Sequence, residues 1–263
     1  MLTSLQNPLV KQMRRLHEAK GRRQQGVFLV EGTHLIEAAL VAVTQFETIC
    51  STPTWQTRHP QLWQQAKSHS QRAETVSDQL LGAIATTVHP DGVVATLPRN
   101  AVHTHLPTNL NLGVAFETLQ DPGNLGTIIR TASAAGADGL WLSPDSVDLD
   151  HPKVLRASAG QWFTLPMAVS EDLAEKVRAC QQTGVQTIAT RPEADRTYWE
   201  IDLTKPTLFL LGNEGAGLSA ELVDIADEAI RIPLEPAVES LNVAITTALV
   251  LYEARRQRTR ARK

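Results

Sequence analysis

Residues 210–219 read LLGNEGAGLS, a glycine-rich turn at the end of an apolar run. Gly212, Gly215 and Gly217 leave room for close backbone approach, as in a phosphate loop, yet Glu214 stands among them and would repel an anion. The glycines follow the order GxxGxG and no lysine comes after them, unlike a Walker loop or the GxGxxG of a dinucleotide site. A ligand that is cationic or rich in hydrogen-bond donors, and free of phosphate, suits such a turn. S-adenosylmethionine, with its sulfonium, ammonium and adenine, is one such molecule; the plain alternative is a tight left-handed turn ending a strand.

Two further clusters carry polar groups suited to chemistry. In LQDPGNLGTIIRTASAAGA, residues 119–137, Leu125, Ile128, Ile129, Ala132 and Ala135 form one apolar helical face and Arg130 points away from it. Asn124 lies six residues before Arg130, so for both to serve one site Asn124 must precede the helix proper. In IPLEPAVESLNVAITTALVLYEARRQ, residues 232–257, Ser240 is placed to cap a helix whose buried stripe is Leu241, Ala244, Ile245, Ala248 and Tyr252. Asn242 falls in its first turn, off that stripe, and the two prolines of PLEPA stiffen the preceding loop.

The elements that must hold these clusters alternate. Strands are expected at 112–117, 139–143, 185–190, 207–211 and 229–232, with helices between them. Ser170 and Ser219 are expected as N-caps, with Gly136 and Gly184 just past helix ends. That order predicts an α/β fold with a parallel sheet, whose ligands bind where strands end and helices begin. The first hundred residues alternate more weakly, with a basic helix over 8–20, strands at 27–32 and 92–97, and a further candidate at 72–77. The stretch from Pro98 to Pro107 reads as a linker, which divides the chain into domains at 1–100 and 108–258 with a basic tail at 259–263.

Composition narrows the function class. Apolar residues make up 42% of the 263 and charged residues 20%, a balance typical of globular proteins. No apolar run approaches a membrane span and no secretory leader is evident, so a cytoplasmic location is expected. Cys50 and Cys180 are far apart and read as buried free thiols, and the eight histidines form no ligand spacing, so no metal is expected. The net charge of −3 conceals +5 over residues 1–23 and +6 over residues 255–263, leaving −14 between them. Basic ends on an acidic body suit either a polyanion such as RNA or solvated termini.

Taken in order, the three clusters resemble those of the SpoU/TrmH branch of the SPOUT RNA methyltransferases. DPGNLGTIIRTASAAGA is similar to that family's first motif, LLGNEGAGLS to its second, and IPLEPAVESLNVA with LYEARRQ to its third. HPKVLRASAGQWFTLP, residues 151–166, resembles the stretch between the first two, and residues 7–40 resemble the family's substrate-binding domain. Ala244, where a serine is frequent, and Glu235-Pro236-Ala237, where a glycine-containing turn is usual, depart from the pattern.

The resemblance implies a parallel-sheet SPOUT domain with a deep trefoil knot, preceded by a smaller α/β substrate-binding domain. It implies a homodimer that uses S-adenosylmethionine to methylate a ribose 2′-hydroxyl of structured RNA, with ribosomal RNA favoured over transfer RNA. Rival readings are a base methyltransferase and a noncatalytic RNA-binding protein on the same scaffold. The residues implied in catalysis are Asn124, Arg130, Glu214, Ser240 and Asn242, with Arg130 as a phosphate clamp because a guanidinium stays protonated. Those implied in cofactor binding are Thr190, Leu211, Gly212, Asn213, Glu214, Gly215, Ile232, Pro233, Leu234, Leu241 and Asn242. RNA contacts are expected from Lys11, Arg14, Arg15, Arg22, Arg23 and Arg130.

Overall fold

A computed structural model describes residues 1–42, 45–99 and 109–261, so most of the linker expected over Pro98–Pro107, and the last two residues of the basic tail, lie outside the described residues. The chain forms two compact units: Met1–Thr104 with Asp148–Thr164, and His105–Val147 with Leu165–Lys263.

In the first unit the basic helix expected over 8–20 is two helices, Pro8–Arg15 and Ala19–Gln25. Asn7 caps the first by accepting from the Leu9 N–H at 2.9 Å, and a cap of this kind is worth about 1 kcal/mol. Leu9, Val10 and Met13 are buried, while Lys11, Arg14 and Arg15 face outward. The second helix crosses the end of the first at Gly21, where a Cβ would lie 1.8 Å from the Arg15 carbonyl oxygen. It closes on Gly26 at φ 67°. The sheet beyond contains β1 (Val27–Glu31), β2 (Phe46–Ser51), β3 (Ser70–Thr75) and β4 (Val93–Pro98) in the order β1-β4-β2-β3. β4 pairs antiparallel with both neighbours, and β2 with β3 is parallel. Phe28, Phe46 and Trp55 are fully buried in this unit, so these rings are core and offer no stacking surface.

Arg22 does not face outward, as an RNA contact must. It is 1% exposed, with Nε on Asp150 at 2.9 Å, one terminal nitrogen on Asp148 at 2.8 Å, and the other shared between the Leu16 and His17 carbonyls. A buried guanidinium needs this many acceptors to offset lost hydration, which removes Arg22 from the RNA-facing set. Arg23 lies beside it on Asp148 but stays 65% exposed on its side chain. Both aspartates belong to Asp148–Thr164, a segment that lies within the catalytic domain expected at 108–258 yet packs in the first unit. Arg156 on Glu31, and Trp162 against Phe28 with centroids 4.9 Å apart, hold the same segment there.

The second unit contains β5 (Leu112–Phe116), β6 (Gly139–Leu142), β7 (Met167–Val169), β8 (Gln186–Thr190), β9 (Arg196–Thr197), β10 (Thr207–Leu211) and β11 (Glu228–Arg231). They form one sheet in the order β7-β6-β5-β10-β8-β11-β9, and every pairing is parallel. β5, β6 and β10 are buried at every position, as the inner strands of a parallel sheet must be. All five expected strands are present. β7 and β9 escape the pattern because three or two residues carry no readable period.

One helix cap and one buried helix face depart from expectation. Asp172, not Ser170, caps the helix Leu173–Gln182, its carboxylate accepting from the Glu175 N–H while the Ser170 hydroxyl donates to the Asp172 carbonyl. The last helix, Val243–Ala261, buries Val243, Ala244, Thr247, Val250, Leu251 and Ala254 and packs on the helix Pro122–Ala135. Leu241, Ile245 and Tyr252, expected in the buried stripe, are 37%, 51% and 49% exposed. This helix is apolar around much of its circumference, so periodicity alone does not select the face that packs inward. Ser219 and Gly136 act as expected, one as an N-cap and the other as a left-handed terminus at φ 82°.

Among the described residues of the basic C-terminus, Arg255 and Arg258 are occupied within their own unit. Arg255 donates to the Ala134 carbonyl, in the last turn of the helix Pro122–Ala135, where a cation meets the negative end of the helix dipole. Arg258 donates to the carbonyls of Leu203 at 2.8 Å and Lys205 at 2.7 Å. Among the described residues, no helix is long and apolar enough to cross a membrane, and both cysteines are buried and free.

The Arg22 cluster generates a stability prediction. Replacing Arg22 with Ala leaves buried Asp150 to Arg99 alone, and breaking a buried pair in this way costs about 3 kcal/mol or more. The loss should appear in urea unfolding followed by tryptophan fluorescence from Trp55 and Trp162.

Candidate active site

Because the seven strands run parallel, their C-terminal ends open on one edge. Leu211 is level with Phe116, Leu210 with Ala189, and Ile230 with Thr190. The LLGNEGAGLS turn leaves β10 at this edge. Gly212 is required by the turn's own closure: a Cβ there would lie 2.0 Å from the Gly217 carbonyl carbon. Asn213 and Gly217 exchange backbone N–H···O bonds of 3.0 Å, with Gly217 in left-handed backbone at φ 72°. The Asn213 carboxamide fills the loop, accepting from the Gly215 and Ala216 N–H groups at 2.8 and 3.0 Å and donating to the Thr118 carbonyl at 2.9 Å. The Ser219 N–H, where the next helix starts, donates to Glu117 at 2.7 Å.

Glu214 stands at the crown of this loop and ties the three clusters together. Its carboxylate accepts from the Asn124 side-chain amide at 3.0 Å, and the Asn124 carbonyl oxygen accepts from the Asn242 amide at 2.9 Å. The Asn242 oxygen then accepts from the Ala244 N–H at 2.9 Å and caps the last helix. Donors all run toward the carboxylate, which fixes the orientation of both amides. The cap is therefore Asn242 rather than Ser240, whose side chain is exposed at the cavity described next. Asn124 lies inside the first turn of its helix, which starts at Pro122 with Asp121 as N-cap. Arg130 is about 240° further round that helix. It is exposed on another face, so a single chain does not bring the two side chains together.

Next to the Glu214 loop is a cavity of about 590 Å³. Of the residues expected to bind a cofactor, Thr190, Gly212, Asn213, Glu214, Gly215, Ile232, Leu234 and Leu241 line it, and Ser240 joins them. Leu211 is buried as the last residue of β10, Pro233 lies between two lining residues, and Asn242 sits beside the wall in the amide chain. Sequence reading missed Arg191, Pro192 and Glu193, which follow Thr190 at the end of β8 and also line the cavity. The strand-end rule points to that position, but nothing in the residue types does. The Thr190 hydroxyl is engaged with the Leu210 carbonyl at 3.1 Å. Glu193, Glu214, Asp224 and Glu239 outnumber Arg191 on the lining, while Ile230, Ile232, Leu234 and Leu241 supply apolar surface. Such a cavity accepts a ligand with a flat apolar portion and a positive charge. Among the described residues, no group of three or more histidine, cysteine or acidic side chains is arranged to hold a metal ion.

Gly212→Ala tests this account of the loop. The added methyl displaces Gly217, so backbone amides of residues 213–217 should lose exchange protection, and stability should fall by about 1–3 kcal/mol, as for other overpacked sites.

Residues 111–252 match the model of the SpoU rRNA Methylase family, and residues 7–95 match that of the MRM3-like substrate binding domain. An uncharacterized tRNA/rRNA methyltransferase of Synechocystis sp. is 48% identical over 97% of this chain and 93% of its own. The 23S rRNA (guanosine(2553)-2′-O)-methyltransferase RlmP of Bacillus subtilis is 32% identical over 97% of this chain and 98% of its own. Among solved structures, the AdoMet-bound rRNA methyltransferase of Sinorhizobium meliloti superposes with a TM-score of 0.87 at 33% identity, covering 97% of both chains.

Proposed function

The chain belongs to the SpoU rRNA methylase family, and from that premise we propose that it methylates a ribose 2′-hydroxyl of structured RNA, ribosomal RNA above all, using S-adenosylmethionine. One observation supports this most: Glu214, Asn124 and Asn242, from the three motifs, form a single hydrogen-bonded chain beside an acidic cavity at the strand ends. The cavity suits the donor molecule. Its carboxylates complement a sulfonium and an ammonium, the apolar wall of Ile230, Ile232 and Leu234 suits an adenine, and among the described residues no lysine lines it to favour phosphate. When bound, S-adenosylmethionine supplies an electrophilic methyl group. Thr190, Gly212, Asn213, Gly215, Ile232, Leu234 and Leu241 form its binding surface in this reading.

Methyl transfer to oxygen requires an in-line approach, so the main work of the protein is to hold hydroxyl and methyl in register. Glu214, Asn124 and Asn242 present an ordered rim for the ribose, with the Ser240 hydroxyl beside it. Arg130, a guanidinium with donors only, serves as a clamp on the phosphate next to the target ribose. Lys11, Arg14, Arg15 and Arg23 bind the RNA backbone from the first unit, which suits recognition of folded RNA by shape.

The reading includes a trefoil knot around the cofactor loop, a cytoplasmic location and a homodimer. Support for the dimer comes from Leu241, Ile245 and Tyr252, large apolar side chains left exposed on and just before the last helix. A second copy covering them buries that surface and adds groups from the adjoining helix, including Arg130, to the assembled site.

Two measurements test the reading. Arg130→Ala should lower RNA methylation at least tenfold, as expected for loss of a positioned phosphate contact, with S-adenosylmethionine affinity unchanged by calorimetry. Full turnover would remove Arg130 from the mechanism. Replacing Ile245 and Tyr252 together with Glu should shift light-scattering mass from two chains to one, and an unchanged mass would place the dimer interface elsewhere.

A further inference from the structure

Thr118 has φ 55°, one of two left-handed non-glycine residues among those described. For a β-branched side chain this is an outlier that surrounding structure must impose. The turn after β6 imposes it. The Thr118 N–H donates to the Ser143 hydroxyl oxygen at 2.7 Å, and the Thr118 hydroxyl donates to Asp145 Oδ2 at 2.6 Å. Ser143 donates to the other Asp145 oxygen, and the Ser146 hydroxyl oxygen accepts from the neighbouring Leu119 N–H at 3.1 Å. Hydrogen bonds from Ser143, then Thr118, hold the Asp145 carboxyl below the usual carboxylate range, so it is an anion at neutral pH and its bonds are charge-assisted.

Held in this way, Thr118 aims its carbonyl at the Asn213 side-chain amide. That bond holds the amide end of the carboxamide, whose oxygen accepts from the Gly215 and Ala216 N–H groups on the C-terminal side of Glu214. If Thr118 relaxes to negative φ, the peptide following it turns and Asn213 loses its acceptor. We propose that Thr118 is a positioning residue for the methyl-donor loop, locked in left-handed backbone by Ser143 and Asp145 and acting on Glu214 through Asn213. The assignment of a donor to this loop rests on the reading given above, but the relay itself is a property of the unliganded chain.

The test uses the full chain with Asp145→Ala, Thr118→Val, and the pair Asp145→Ala with Thr118→Gly. Valine keeps the branched carbon and loses the hydroxyl bond, whereas glycine loses both and adopts left-handed backbone freely. Amide exchange at Gly215 and Ala216 in the unliganded protein should accelerate about tenfold in D145A and T118V, the scale set by a single strained left-handed residue. Exchange in β5 and β10 should stay at the wild-type rate. Adding T118G to D145A should recover most of the protection. Calorimetry with S-adenosylmethionine should follow the same order, with affinity reduced in D145A and T118V and recovered in D145A/T118G.

Unchanged exchange at Gly215 and Ala216 in D145A overturns the proposal. So does acceleration shared equally by β5 and β10, or failure of T118G to recover the loss, since either marks general loosening. If the wild-type chain does not bind S-adenosylmethionine, the cofactor reading fails, and the exchange measurements still decide the role of Thr118.

Discussion

One constraint organises the second unit: seven strands that all run the same way deliver their C-terminal ends to the same edge. Polar turns leave the sheet there, and at β5 the neighbouring turns supply side-chain partners for backbone groups: Ser143 for the Thr118 N–H, Ser146 for the Leu119 N–H and Asn213 for the Thr118 carbonyl. Asparagine is well suited to this task because a carboxamide donates and accepts at once. Asn213 joins the β10 turn to the β5 turn, and Asn124 and Asn242 link the Glu214 carboxylate to the last helix. Residues separated by more than a hundred positions therefore become one continuous polar surface.

Charge follows a different logic from the one its distribution suggests. The cationic ends read as surfaces for a polyanion, yet Arg22 is enclosed by two aspartates, and Arg255 and Arg258 donate to backbone carbonyls. These arginines act as clasps that satisfy acceptors within their own units. The cations left facing water in the N-terminal helices are Lys11, Arg14 and Arg15 on the first, which is amphipathic, and Lys20 and Arg23 on the second.

Much of this architecture was legible from the chain. The buried strands announce themselves as apolar runs, and Glu214 among glycines marks an unusual turn because its chemistry conflicts with the commoner use of such loops. What stayed hidden was non-local. Which face of the last helix packs inward depends on the helix Pro122–Ala135, and Ile245 and Tyr252 look no different in sequence from their buried neighbours. Asn242 outcompetes Ser240 as cap because Asn124 orients its amide, a partner 118 positions away. The left-handed Thr118 was invisible for a related reason: threonine does not advertise positive φ, and the groups that impose it lie beyond the next helix.

The segment Asp148–Thr164 carries a consequence for how such proteins diversify. It is encoded between two strands of the second unit but completes the core of the first, so the chain passes from one unit to the other three times along its length. Neither unit is a contiguous cassette. A recombination event that exchanged only the N-terminal hundred residues for those of a relative would strand Asp150 and Arg156 opposite foreign partners. New RNA specificities in this lineage are therefore expected to arise by point substitution on an inherited pair of units, or by exchange of both pieces together.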